Sequence, residues 1–85
     1  MIYKAYSIYD SKVGSYMQPF FVRSKGEAIR MVMNELTRED SNLTKYPADF
    51  TLFEIGEYDD SNGNLSTPEV GPTNVGVLIE FTKES

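Results

Sequence analysis

The sequence predicts a small α+β domain in which an antiparallel sheet of three to four strands packs against one main amphipathic helix. Three observations predict this fold. Residues 50–58 combine apolar and β-favouring side chains and run into a polar turn at 59–63, which is typical of a buried strand entering a hairpin. Residues 2–9 alternate like a second strand, and residues 25–38 carry helical periodicity. With 85 residues, the chain is predicted to be a single domain, 1–85.

The first predicted strand has two different faces. One side would be more aliphatic and the other rich in tyrosine, with Ile2, Lys4, Tyr6 and Ile8 opposed to Tyr3, Ala5, Ser7 and Tyr9. We expect this strand to pair with residues 50–58. A loop over residues 10–15 and a short extended segment, residues 19–22, should follow it.

The helix has the clearest local signal. Ser24 and Glu27 form an S-x-x-E capping box, in which Glu27 is expected to reach back to the cap residue. One apolar stripe is predicted to dock the helix on the sheet, and it consists of Ile29, Val32, Met33 and Leu36. A polar run ends the helix, and a turn at Tyr46-Pro47 should lead into the central strand.

The last third of the chain is less regular. After the turn at 59–63, a short return strand is predicted over residues 64–67, and residues 66–74 are expected to form an irregular linker. Residues 74–82 alternate as in a strand, although Val77, Leu78 and Phe81 would also share a helical face. We expect a strand there.

Composition argues against catalysis. The chain contains no histidine and no cysteine, so the usual general base, thiol nucleophile and soft metal ligands are missing. Acidic residues around the turn at 59–63 suggest a calcium loop, but Leu65 stands where that pattern needs glycine, and a plain hairpin turn is favoured. We therefore predict a protein that is not an enzyme and that has no cofactor and no metal.

Charge is distributed unevenly. The net charge is −5, which argues against a protein that coats nucleic acid by bulk charge. Residues 1–46 carry seven Lys and Arg against five acidic residues, whereas residues 47–85 carry one lysine against eight acidic residues. No apolar run approaches the roughly 18 residues of a membrane span, and the N-terminus lacks a signal-peptide layout, so we expect a soluble, intracellular protein.

Aromatic residues suggest a binding surface. Six tyrosines and five phenylalanines allow a face on which unpaired bases stack, edged by basic residues. The candidate DNA-binding residues are Tyr3, Lys4, Tyr9, Lys12, Arg23, Lys25, Arg30 and Phe53. The same aromatic residues would equally suit a homodimer interface, or simply the core of a small domain without tryptophan.

Several stretches together resemble a known family. MIYKAYSIYDSK, PFF, GEAIR and KYPADFTLFEIGEYDDSNG are similar, in this order, to the small nonstructural protein of gokushovirus-type microviruses (Microviridae), which are single-stranded DNA bacteriophages. The resemblance covers most of the chain up to about Leu65.

The resemblance implies a non-enzymatic factor analogous to the C protein of the isometric coliphages. Such a factor engages viral replicative-form DNA and its replication complex, and switches the system from duplex replication to single-strand synthesis and genome packaging into procapsids. The implied partners are viral DNA, phage replication proteins and procapsid proteins, with no membrane. The implied location is the host cytoplasm, outside the virion. A single-stranded DNA-binding module and a dimeric protein adaptor remain alternatives.

Overall fold

The computed structural model describes residues 1–82, and it has the predicted α+β architecture. Six strands form one antiparallel sheet: β1 (Ile2–Asp10), β2 (Ser15–Tyr16), β3 (Phe20–Val22), β4 (Phe50–Asp59), β5 (Asn64–Ser66) and β6 (Thr73–Val77). One main helix, α1 (Lys25–Glu35), is followed by a single turn of helix, α2 (Asn42–Lys45). Two 3-10 helices, Pro47–Asp49 and Leu78–Phe81, complete the elements of the described residues.

Two long strands form the centre of the sheet. β1 pairs antiparallel with β4 along its whole length, and the sequence predicted that these two strands pair. In the observed register Tyr3 lies opposite Tyr58 and Ile8 lies opposite Leu52. At one end this pair is flanked by β3 and β5, and at the other end by β2 and β6. The sheet is therefore three to four strands wide along its length, which agrees with the expected three to four strands.

A bulge interrupts the central pair. The register shifts between Ala5 and Tyr6, so that β4 has one extra residue at this point. Gly56 lies at the bulge and is buried, and a Cβ atom built on it would collide with the carbonyl oxygen of Ser66 in β5. Glycine is required here because the neighbouring backbone occupies the space of a side chain.

Helix α1 begins where the capping box predicts. The Ser24 hydroxyl accepts a hydrogen bond from the Glu27 amide at 3.2 Å. The Glu27 carboxylate accepts from the amide of Arg23 at 2.8 Å, one residue before the cap, and not from the cap residue itself. The capping box thus also holds the backbone of Arg23, the residue before the cap, in place.

The end of α1 and its buried stripe differ from the prediction. The helix ends at Glu35 and not near Arg38, because the next turn tightens and the Thr37 hydroxyl donates to the carbonyl of Asn34 at 2.7 Å. Ala28 and Val32 are buried, whereas Met33 is 45% exposed. Including Met33 in the docking stripe was therefore wrong.

The core lies between α1 and one face of the sheet. Burying these side chains supplies roughly 1.5–3 kcal/mol for each large aliphatic or aromatic residue. The buried residues are Tyr6, Ile8, Val22, Ala28, Val32, Leu43, Phe50, Leu52 and Leu78. Leu43 comes from α2, so the predicted turn before β4 also contributes to the core.

The last described segment is part strand and part helix. β6 ends at Val77, and Leu78–Phe81 form a 3-10 helix, so the prediction of a strand up to residue 82 was wrong beyond Val77. The chain turns there because Leu78 is fully buried and Phe81 folds back, which brings its ring 3.0 Å from the position of a Cβ atom on Gly76. The predicted return strand is β5, which ends at Ser66.

No helix within residues 1–82 combines the length and the apolar character needed to cross a membrane. Residues 67–72 connect β5 to β6 without a regular element, where the sequence predicted a linker. The last three residues of the predicted domain, 83–85, lie outside the described part.

Candidate interaction surface on the sheet

The sheet face opposite α1 is the candidate functional site, and we call it the outer face. Residues that oppose each other in an antiparallel pair share a face, so the registers assign its members. They are Tyr3, Ala5, Ser7, Tyr9, Tyr16, Phe21, Thr51, Phe53, Gly56, Tyr58, Leu65, Asn74 and Val77. None of these residues is charged, and seven are aromatic or leucine.

One end of the outer face carries three packed rings, which we call the Tyr16 cluster. The ring centroids of Tyr9 and Tyr16 lie 4.9 Å apart. Phe53 stands edge-on to both, with centroid distances of 6.3 Å to Tyr9 and 5.6 Å to Tyr16. Because Tyr16 remains 45% exposed, the cluster offers a ring to a partner.

The other end carries an aromatic cleft, which we call the Tyr58 cleft. Its volume is about 500 Å³, and it is lined by Tyr3, Phe21, Tyr58, Asp60, Gly63 and Leu65. Phe21 and Tyr58 pack with centroids 5.7 Å apart at an angle of 63°. Phe21 and Leu65 are 45% and 62% exposed, so the apolar walls of the cleft face solvent.

Small residues separate the two ends. Ala5, Ser7 and Gly56 occupy the middle of the outer face and are buried. The Ser7 hydroxyl donates a hydrogen bond of 2.6 Å to the carbonyl of Met17, so this polar group needs no outside partner. Because these three residues are buried, the exposed surface of the outer face lies at its two aromatic ends.

The predicted aromatic candidates do share this face, but in separate groups. Tyr9 and Phe53 belong to the Tyr16 cluster, whereas Tyr3 lines the Tyr58 cleft. Sequence analysis missed Tyr16, Phe21 and Tyr58. A signal for Phe21 was available, because consecutive residues in an extended segment point to opposite faces, so one of Phe20 and Phe21 had to point away from the core.

The predicted basic candidates do not assemble around the aromatic rings. Lys4 lies on the helix side of the sheet, where its ammonium group is 3.6 Å from Glu54 and 3.7 Å from Glu57. Lys25 and Arg30 belong to α1, which covers the same side. Lys4 was expected to edge the stacking surface, and the structure places it on the opposite face.

The other two basic candidates lie outside the outer face as its registers define it. Lys12 follows β1 and lines a second cleft, of about 350 Å³, together with Asp10 and Asp49. Arg23 is exposed between β3 and α1. A cationic groove that follows a phosphate backbone is not formed by these five residues together.

The acidic hairpin between β4 and β5 is internally hydrogen-bonded. The Asp59 carboxylate accepts from the hydroxyl of Ser61 at 2.6 Å and from its amide at 2.9 Å, and these bonds lower the pKa of Asp59. Gly63 has a φ of +73°, a conformation that suits glycine. Within residues 1–82, no group of three His, Cys, Asp or Glu side chains is arranged to hold a metal ion.

The buried phenol of Tyr6 is a further group with a perturbed pKa. Burial, followed by the nearby Glu54 carboxylate, raises the pKa of Tyr6 to about 12. Its hydroxyl points toward Glu54 with an oxygen–oxygen distance of 3.4 Å, which is long for a hydrogen bond. Tyr6 is 0% exposed and therefore belongs to the core and not to a site.

Comparison with known proteins places this small domain with an open aromatic face among bacteriophage proteins. The chain belongs to the family described as Phage ORF5 protein, whose model matches residues 3–81. No curated protein and no solved structure matches it.

Proposed function

We propose that this phage protein is a non-enzymatic adaptor that acts by associating with other macromolecules through the outer face. The observation that carries the proposal is a sheet face whose strand-paired residues are all uncharged, with exposed aromatic residues at both ends. Large exposed apolar patches in small proteins mark interaction sites, and aromatic residues are enriched at the centres of such sites.

The adaptor's place in the phage cycle follows from the resemblance of residues 1–65 to the nonstructural proteins of gokushovirus-type microviruses. In this proposal it acts in the host cytoplasm, outside the virion. It contacts the replication complex on replicative-form DNA and the procapsid proteins, and it favours single-strand synthesis coupled to packaging. Membership of a phage family supports this setting.

A pull-down from phage-producing cells tests the proposal. The tagged wild-type protein is expected to retain replication and procapsid proteins with or without nuclease, because the contacts are between proteins. Replacing Tyr16 and Phe21 by serine should abolish retention. The matched control replaces Met31 and Met33, which are equally exposed at 46% and 45% but lie on α1, and it should retain the partners. Retention that disappears with nuclease in the wild type would contradict a protein adaptor.

Single-stranded DNA binding is the second candidate, and the Tyr16 cluster favours it. Each base stacked on an aromatic ring contributes about 1–3 kcal/mol. The location of Lys4, Lys25 and Arg30 on the helix side disfavours it, because a stacking platform needs cations that follow the backbone. Fluorescence anisotropy with an oligothymidylate distinguishes the two functions. A DNA binder loses affinity steeply as salt rises and on Tyr16→Ser substitution, whereas the adaptor shows no affinity to lose.

A further inference from the structure

We infer that the second cleft, between the end of β1 and the start of β4, binds an arginine side chain from a basic segment of a partner protein. We call it the Tyr46 cleft. Its volume is about 350 Å³, and it is lined by Asp10, Lys12, Asn42, Tyr46, Asp49 and Phe50. None of these residues belongs to the outer face, so the inference goes beyond the proposed function and does not depend on it.

Hydrogen bonds hold the walls of the Tyr46 cleft. The amide and the hydroxyl of Ser11 both donate to the Asp49 carbonyl, each at 3.0 Å, which joins the loop after β1 to the 3-10 helix before β4. The Asp49 amide donates to the Tyr46 carbonyl at 3.0 Å, and the Tyr46 amide donates to the Asn42 carbonyl in α2 at 2.9 Å. Because these bonds fix the walls, a ligand meets a cleft that is already formed.

Charge in the cleft favours a cationic ligand. Asp10 and Asp49 contribute two negative charges and Lys12 contributes one positive charge, so the lining has a net charge of −1. Among residues 1–82, no ion pair and no hydrogen bond engages the Asp49 carboxylate, and no ion pair engages the Lys12 ammonium group. The whole chain carries −5, and its field attracts a basic segment and repels an anionic one.

The aromatic wall selects a guanidinium among cationic groups. Tyr46 is 57% exposed, so its ring is open to a planar group. A guanidinium stacks on an aromatic ring and donates two parallel hydrogen bonds to one carboxylate, whereas a lysine ammonium is a point charge with a stronger hydration shell. The volume lies near the lower end of the range for ligand sites, roughly 300–1,000 Å³, and suits one side chain. Arginine is therefore the side chain that uses both the ring and the carboxylates.

A titration followed by NMR tests the inference. The probe is a capped pentapeptide with one central arginine between alanine and glycine residues, added to the isotope-labelled full chain at low salt. We expect a dissociation constant on the order of 1 mM, with amide shifts at Lys12, Tyr46 and Asp49. The same peptide with citrulline, which has nearly the shape of arginine but no charge, should not bind. No shifts with the arginine peptide at about 10 mM, or equal binding of the citrulline peptide, would overturn the inference.

Variants of the cleft test the two contacts separately. Asp49→Asn should weaken binding about tenfold, because it removes the charged acceptor, and Tyr46→Ala should weaken it about threefold. Glu69→Gln is the matched control, since it removes the same charge from the exposed connection over residues 67–72, and it should bind like the wild type. Circular dichroism checks that all three variants fold. An Asp49→Asn variant with unchanged affinity would contradict an arginine site.

Lys12 distinguishes a cationic ligand from an anionic one. Lys12→Ala removes a like charge and should raise the affinity for the arginine peptide about twofold. A nucleotide would instead need Lys12 for its phosphate, so deoxyguanosine monophosphate is the opposing probe and should not bind. Weaker peptide binding by Lys12→Ala, or nucleotide binding that this variant loses, would overturn the inference and assign the cleft to a nucleotide.

Discussion

Tyr9 and Tyr16 face each other across the first hairpin, with ring centroids 4.9 Å apart, and the ring of Phe53 stands edge-on to both. These contacts tie the two-residue strand β2 to the central strand β4 through side chains alone. The hairpin therefore depends on an aromatic group that also forms one end of the proposed interface.

Replacing Phe53 by alanine should destabilise the protein by about 2 kcal/mol. The half-buried ring makes two edge-to-face contacts, each worth roughly 0.5–1.5 kcal/mol, in addition to its buried area. Urea unfolding measures the loss. Phe53→Tyr keeps the ring and should stay close to wild type. A loss below 0.5 kcal/mol for the alanine variant would show that the cluster does not hold the hairpin.

A side chain at Gly56 should be poorly tolerated. Gly56→Ala places a methyl group against the Ser66 carbonyl, so β5 must move, and we expect a loss of about 2 kcal/mol or more. Amide exchange should accelerate in β5 before it does in β1. Gly26→Ala is the matched control, because its Cβ would meet nothing closer than 4.0 Å inside α1, and it should stabilise the protein by about 0.5–1 kcal/mol. Equal effects at the two glycines would contradict the bulge geometry.

The free energy of unfolding should fall at high pH because of the Tyr6 phenol. Its pKa is raised to about 12 in the fold against 10 in the unfolded chain, so between these values the unfolded chain has lost a proton that the folded chain keeps. The stabilisation is complete below pH 10 and disappears as pH rises to 12, for a total on the order of 2 kcal/mol. Denaturant titrations of wild type and Tyr6→Phe between pH 9 and 12 measure it, and the variant should lack this component. Parallel curves for the two proteins would show that Tyr6 titrates normally.

The N-terminal cap of α1 should contribute about 1 kcal/mol. Ser24→Ala removes the acceptor for the Glu27 amide, which leaves that donor to water alone. Ser24→Gly should cost only a few tenths of a kcal/mol, because glycine is an acceptable cap. Thermal unfolding followed by circular dichroism ranks the variants, and a glycine variant as unstable as the alanine variant would argue against the cap.

Local patterns predicted most of the fold because they report on single elements. Alternation predicted β1, and a run of apolar and β-favouring residues ending in a polar turn predicted β4. The Ser24–Glu27 pair predicted the start of α1. The bulge beside Gly56 was missed because an extra residue in the pairing of β4 with β1 leaves no mark on the pattern of either strand alone. The need for glycine at position 56 was missed because it comes from the carbonyl of Ser66, ten residues away. The change from strand to 3-10 helix at Leu78 was missed because it depends on tertiary packing, in which the Leu78 side chain is fully buried in the core.

The candidate site was predicted less completely. Tyr3, Tyr9 and Phe53 were correctly placed on one face, but Tyr16 and Phe21 lie on short strands with almost no periodicity to read. Lys4 was expected beside the tyrosines because single-stranded DNA is bound by aromatic rings that stack on its bases and by cationic side chains that contact its phosphates. In the fold, the alternation of β1 points Lys4 to the side of Glu54 and Glu57.

The short flanking strands limit aggregation through the edges of the sheet. β2, β3 and β5 are two or three residues long, so no edge of the sheet on these sides presents a long row of free amide and carbonyl groups. Such edges cannot template the addition of further chains in register. These three short strands therefore offer other copies of this aromatic-rich protein too little backbone for fibril-like growth in register.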